Sequence, residues 1–247
     1  LLGRNFEAPK FVKVNGRPQF RHREKNDLLM SYLKCIRATS TLNAAAVLLR
    51  YGYVQEIGAL CRCVDEFCED VLFLATPLGE EGEYSKAQHR LVEEYFQEEF
   101  EENTDAVPKP ASRDRVPRKK IQAGIARIEG HPVNPHDAKQ MHRAVGKAYS
   151  GYIHGAYPHT MELYGGPTRD KCAFHLCGLL GTPRIPEWTD ALSNYVYRTA
   201  RCLEIVAKRC GDDEVETFLR QSRTSFEEDT GLGKDNPDEI LKKLKKK

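Results

Sequence analysis

Apolar residues recur at helical spacing along three long stretches of this chain, and three such stripes can be buried only by packing helices against one another. From about residue 24 to 51, Leu28, Leu29, Tyr32, Leu33 and Ile36 lead into the run Ala44 to Leu49. This predicts a helix apolar on nearly all sides, which belongs in the middle of a bundle. Between Gly52 and Thr76-Pro77, Ile57, Leu60, Cys61, Val64, Phe67, Cys68 and Val71 form a second stripe, with Arg62, Glu66, Glu69 and Asp70 on its other side. A third helix, opened by Pro186 and closed by Gly211, carries Trp188, Leu192, Tyr195, Val196, Ala200, Leu203 and Val206. Shorter helices are expected over 85–101, 117–129 and 214–226. Asn134-Pro135-His136-Asp137 supplies an N-cap, a proline at the first helical position and an acid in the first turn, so another helix starts there and stops at Gly155. There is no internal repeat and no long strand pattern, although the alternation from Cys172 to Cys177 suggests a small extended piece. The expected fold is all-α, a bundle of about six or seven helices with a short extended or irregular insertion near residues 165–185.

Residues 1–22 are basic and broken by Pro9, Gly16 and Pro18, which predicts an irregular N-terminal arm or a short extended element. Residues 23–230 are expected to form a single helical domain, followed by a lysine-rich tail over 231–247. With 40% hydrophobic and 30% charged residues the composition is that of a soluble globular protein, and a net charge of only +2 means that any basic footprint must be local. The longest apolar run is far short of the roughly 20 residues needed to cross a bilayer, so no membrane partner is expected. No initiating Met and no signal-like apolar region open the sequence, and a cytoplasmic location follows as an expectation. Of eight cysteines, Cys61 and Cys68 would lie roughly 10 Å apart along one helix axis, beyond disulfide reach, and a reducing compartment fits best.

The stretch Tyr149 to Gly166 is unlike the rest, crowding aromatics, His154, His159 and several glycines around a helix end. At about 100 degrees per residue, His136, Gln140, Arg143, Lys147 and Ser150 share a face with His154, while Met141, Val145, Ala148 and Tyr152 point the other way, toward the expected core. A basic, hydrogen-bonding stripe thus ends in a histidine. Gly151 and Gly155 remove bulk beside it, leaving room for a ligand or a second chain, and the next turn brings Tyr157 and His159. The stripe read as a plain solvated face, with His154 at a helix C-terminus, is the competing explanation.

The Arg62-x-x-x-Glu66 step on an early helix, together with the Tyr-Ser-x-Tyr-Ile-His-Gly helix end, resembles an uncharacterised bacterial helical-bundle family distantly similar to the HEPN superfamily. Many members of that superfamily are metal-independent endoribonucleases of toxin and antiphage systems. The resemblance covers about residues 24 to 165 and implies a dimer that binds or cleaves RNA in stress or defence. It implies His154 as base or acid, with Lys147 and Arg143 as phosphate clamps and Arg62 and Glu66 in support. The superfamily places an arginine ahead of the histidine with four to six residues between them. Here that window holds Lys147, Ala148 and Tyr149 with no arginine, and a lysine lacks the bidentate fork.

Other patterns compete. Arg169 and His175 fit the same spacing but fall in a Gly/Pro-bounded, alternating segment. His154, His159, Cys172 and Cys177 have spacings compatible with zinc, yet lack the tight knuckle glycines, and no cofactor is expected. The basic block from Lys109 to Arg127 could contact phosphates non-specifically, but it lacks regular aromatic interleaving for base stacking, and charge balance with the glutamates of residues 93–102 is the favoured reading. P-loop, dinucleotide, nucleophile-elbow and His-Glu-x-x-His patterns are absent. Three classes remain: an RNA-binding or RNA-cleaving protein centred on His154, a non-catalytic module binding a protein partner through the same helix end, and a zinc-binding structural protein.

Overall fold

The computed structural model describes residues 2–14, 16–100, 110–128, 147–164 and 174–231. They form a mostly α-helical bundle of eight helices with one two-stranded antiparallel sheet, β1 (Lys10–Val14) and β2 (Arg17–Arg21). The helices are α1 (Asp27–Arg50), α2 (Val54–Phe73), α3 (Lys86–Tyr95), α4 (Arg118–Ile128), α5 (147–153 in its described part), α6 (Tyr157–Met161), α7 (Arg184–Arg209) and α8 (Asp213–Thr230). No described helix is long and apolar enough to cross a membrane.

The middle of the bundle is α2 rather than α1. Eleven of the 20 residues of α2 are buried, against eight of 24 in α1, where Ile36 and Val47 stand 44% and 53% exposed. The reason lies in side-chain size. The late turns of α1 are alanine-rich, so leaving Ala44 and Ala46 in water costs little, whereas α2 offers Ile57, Val64, Val71 and Phe73 on several sides. The main core joins α1, α2, α7 and the start of α8 around Cys35, Ile57, Cys61, Val64, Trp188, Leu192, Tyr195 and Val206. A second cluster, Met30, Phe73, Leu74, Leu91, Ile121 and Ile125, seats α3 and α4 on the far end of α2.

Local chemistry fixes the ends of these helices. The Asn26 side chain accepts from the Leu29 N–H at 2.8 Å to start α1, and Ser85 with Gln88 forms a capping box on α3. Gln88 is wholly buried and also donates to the Phe73 and Thr76 carbonyls at 2.7 and 2.9 Å, satisfying the end of α2. Gly52 and Gly178 let two turns meet backbone to backbone. Both have positive φ, and a Cβ at Gly178 would lie 2.2 Å from the Tyr51 carbonyl oxygen. The Leu179 N–H donates to the Gly52 oxygen at 2.8 Å, and Leu179 is carried into the core.

The N-terminal segment is tied to the bundle. Leu2 is buried in the main core, Phe6 stacks on Tyr32 at 4.6 Å, and Arg4 and Asn5 hold Asp212 at the start of α8. The extended element expected before residue 22 is the β1–β2 hairpin. The extended piece expected from Cys172 to Cys177 is represented in the described residues by an isolated bridge of Tyr164 to Phe174. All seven described cysteines are free.

Candidate functional site

The end of α5 meets α2, α6 and α7 in a stack of rings. Tyr149 contacts Tyr195 and Trp188 edge-on at 5.7 and 6.1 Å, and Tyr152 meets Trp188 at 5.5 Å. The core-facing side of α5 is therefore Tyr149 and Tyr152. Ala148, expected there, is exposed. Two aromatic rings with ring partners outweigh one methyl group in deciding which side of this helix end turns inward. Tyr152 lies against Gly58 of α2, where a Cβ would come within 2.5 Å of its ring, and its hydroxyl donates to Glu162 at 3.0 Å. Gln55 reaches the same Glu162 oxygen at 3.1 Å. Burial first, then the adjacent Glu162 charge, pushes the Tyr152 phenol well above its usual range.

His159 completes this stack. Its ring lies parallel to Tyr152 at 4.1 Å with a 7° interplanar angle, and Nε2 is 2.9 Å from the Ala148 carbonyl oxygen. A carbonyl can only accept, so Nε2 carries the proton and donates. Nδ1 is buried and 3.9 Å from Glu162, outside hydrogen-bond reach. The room left by Gly151 is filled by this ring: a Cβ there would sit 2.1 Å from His159 Cδ2. That glycine serves internal packing, and it does not clear a path for a ligand. Gly155 has a φ of +57° and open space beside it, ending the helix as expected.

Lys147 and His154 stand on the opposite side, both exposed, two turns apart on one face. Beside them Ile153 is 51% and Tyr157 77% exposed, while Ser150 is half-buried. Arg143 and Cys172 lie outside the described residues. Among the described residues no group of three or more His, Cys, Asp or Glu is placed to hold a metal, and His159 is committed to the Ala148 carbonyl.

Arg62 and Glu66 form an ion pair at 2.7 Å, and Glu66 also lies 3.9 Å from Arg118. No hydrogen bond or ion pair links either residue to His154 among the described residues. Instead the pair belongs to a charged seam along α2. Arg118 binds Asp70 at 2.6 Å, Lys34 binds Asp70 at 2.8 Å, and Gln122 donates to Glu69 at 3.1 Å. Around the helix from this seam, buried Asp65 accepts from the Tyr195 hydroxyl at 3.0 Å and pairs with Arg198. Burial, the largest single effect, lowers the Arg198 proton affinity, but Asp65 together with Cys68 and Tyr195 holds the guanidinium above its ordinary range.

A cleft of about 1370 Å³ lies elsewhere, between the hairpin, the first turns of α1, the end of α3 and the start of α4. Its walls include Arg17, Arg21, Lys25, Arg113 and Arg115, facing Glu94 and Glu98, with Lys34, Asp70 and Arg118 among its lining residues. Of the residues that break helical period here, Gly16 lies in the turn of the hairpin and Pro18 within β2. The signal that finds the hairpin is Asn15-Gly16 between two alternating segments, a two-residue hairpin turn signature. Comparison of the chain with protein-family models, with curated proteins and with solved structures finds no match.

Proposed function

We propose that the protein binds RNA in a HEPN-like manner through the outer face of α5, with His154 as the group that acts on the RNA 2′-hydroxyl or its phosphate. The observation that carries this reading is the exposure of Lys147 and His154 on one helix face, clear of the ring stack that occupies the other. An exposed ammonium neutralises phosphate, and an exposed imidazole is free to exchange a proton. In cleavage, His154 would take the proton of a 2′-hydroxyl as its oxygen attacks the adjacent phosphorus. A proton returned to the departing 5′-oxygen would complete the step, while Lys147 offsets the charge on the phosphate oxygens. Activity in this form needs a second copy or a further acid, which agrees with the homodimer expected from the resemblance.

Binding of a labelled RNA and its cleavage by purified protein, compared for wild type, K147A and H154A, tests this. K147A should weaken binding and reduce the slope of log K against log salt by about 0.7, one phosphate contact on a single strand. H154A should bind with little change and lose cleavage. Equal RNA binding and equal cleavage in all three proteins would overturn the reading. The exposed Ile153 and Tyr157 favour the second reading, a protein partner at the same helix end, and I153E disrupting an assembly with RNA binding intact would select it.

A further inference from the structure

The hairpin carries two faces with different fates. Its register sets Phe11 opposite Phe20, Lys13 opposite Pro18, Val12 opposite Gln19, and Val14 opposite Arg17. Because strand side chains alternate, Phe11, Lys13, Pro18 and Phe20 share one face. The other face turns to the cleft, where Val14, Gln19 and Arg21 are half-buried and Arg21 binds Glu98 at 2.6 Å. The Phe11 and Phe20 rings, each 64% exposed, meet in an edge-to-face pair at 5.1 Å. Holding two phenyl rings in water is unfavourable, and a hairpin of five-residue strands gains little internal stability from displaying them.

Charge singles out the occupant. Residues 10–25 contain six Lys or Arg and one Glu, a net of +5 against +2 for the whole chain. Among the described residues, Arg21 is the one of these six that forms an ion pair. A second copy of the chain would bring the same cations against themselves, and Pro18 and the lysines hinder strand-to-strand pairing at the edge. A duplex keeps its base faces stacked and offers none to a protruding ring. Unstacked bases and a run of phosphates match both halves of the surface, since bases stack on aromatic rings and backbone charge pairs with lysine and arginine.

We propose that the outer face of the β1–β2 hairpin is a docking platform for single-stranded RNA. Phe11 and Phe20 each receive a base, and Lys13, the cation that shares their face, contacts a flanking phosphate. The proposal rests on the RNA reading above for the choice of polymer and places a second point of contact on a surface separate from α5.

The test is fluorescence anisotropy of the full chain with a labelled 12-nucleotide single-stranded RNA and with a duplex of the same length, at several salt concentrations. F11A/F20A should weaken single-strand binding at least about 5-fold, the loss expected when base stacking is removed. F11Y/F20Y, which keeps both rings, should bind like wild type. K13A should reduce the salt slope by about 0.7. The exposed positions leave the fold intact, which the thermal midpoint of each variant checks. Undiminished single-strand binding by F11A/F20A, with K147A still impaired, would overturn the platform while leaving the α5 reading in place. Absence of single-strand binding by wild-type protein would overturn both. A change in oligomeric mass of F11A/F20A without any change in RNA affinity would assign the hairpin to protein contact and overturn the platform.

Discussion

The two sides of the segment from residue 147 to 164 hold one histidine each and put them to opposite uses. On the inner side, His159 is stacked on Tyr152, hydrogen-bonded to Ala148 and packed into the gap left by Gly151. On the outer side, His154 is exposed with Lys147 two turns before it. Residue type did not separate them, and neither did proximity to glycine. What separated them is the partner surface: the inner side faces α2 and α7, where Gly58, Trp188 and Tyr195 can receive rings, and the outer side faces none of the described elements. A histidine becomes available for chemistry when packing has no need of it.

The strongest way to break this contrast is at the base of the inner side. D65A removes the carboxylate shared by Arg198 and the Tyr195 hydroxyl, and should lower stability by about 3 kcal/mol, read as a shift of the urea midpoint. D65A/R198M should recover part of the loss, because the unpaired cation is then gone. If D65A unfolds like wild type, the inner side is not held by this pair.

Alkaline pH gives a smaller effect on the same region. Burial first, then the Asp65 charge, pushes the Cys61 thiol from 9.0 up to about 12. Above pH 9 the unfolded chain releases this proton and the folded chain keeps it, so stability is complete below about pH 9 and falls as pH rises toward 12. Between pH 9 and 10.5 the thiol accounts for a loss on the order of 2 kcal/mol. The decline of the urea midpoint over this range should be shallower in C61A, and an identical decline would remove Cys61 as its source. The Tyr84 phenol, also pushed up to about 12 by burial and Asp27, contributes in the same direction from about pH 10.

The smallest change sharpens the contrast most directly. H159A should cost about 1–2 kcal/mol through the lost ring stack and hydrogen bond, whereas H154A should stay within about 0.5 kcal/mol. Equal losses in the two variants would erase the distinction between the sides.

Much of the bundle was legible because helical periodicity is a local property. The stripes of α2 and α7, the Gly211 stop and the break at Gly52 follow from residue spacing alone. Other readings depended on neighbours. α1 looked central because alanine and leucine crowd its last turns, but small side chains gain little from burial and it remained at the side. α3 ends at Tyr95, earlier than the expected 101, where the Phe96 cap precedes the run of glutamates that opposes the helix dipole. Gly151 offers space beside His154 in the sequence, and no sequence pattern reveals that His159, eight residues away, returns to fill it.

The sequence by itself determined that the chain is a helical bundle, where most of its helices begin and end, and that His154 and Lys147 share a helix face. These are consequences of 3.6-residue periodicity and of capping chemistry, which act over a few residues. Only the tertiary structure decided which helix occupies the middle, which histidine is built into the packing, that Arg62 and Glu66 belong to a seam with Arg118, and that Phe11 and Phe20 are held together in solvent. Those outcomes depend on contacts between residues far apart in the chain, where side-chain volume and the cost of burying charge choose among arrangements that local patterns leave equivalent.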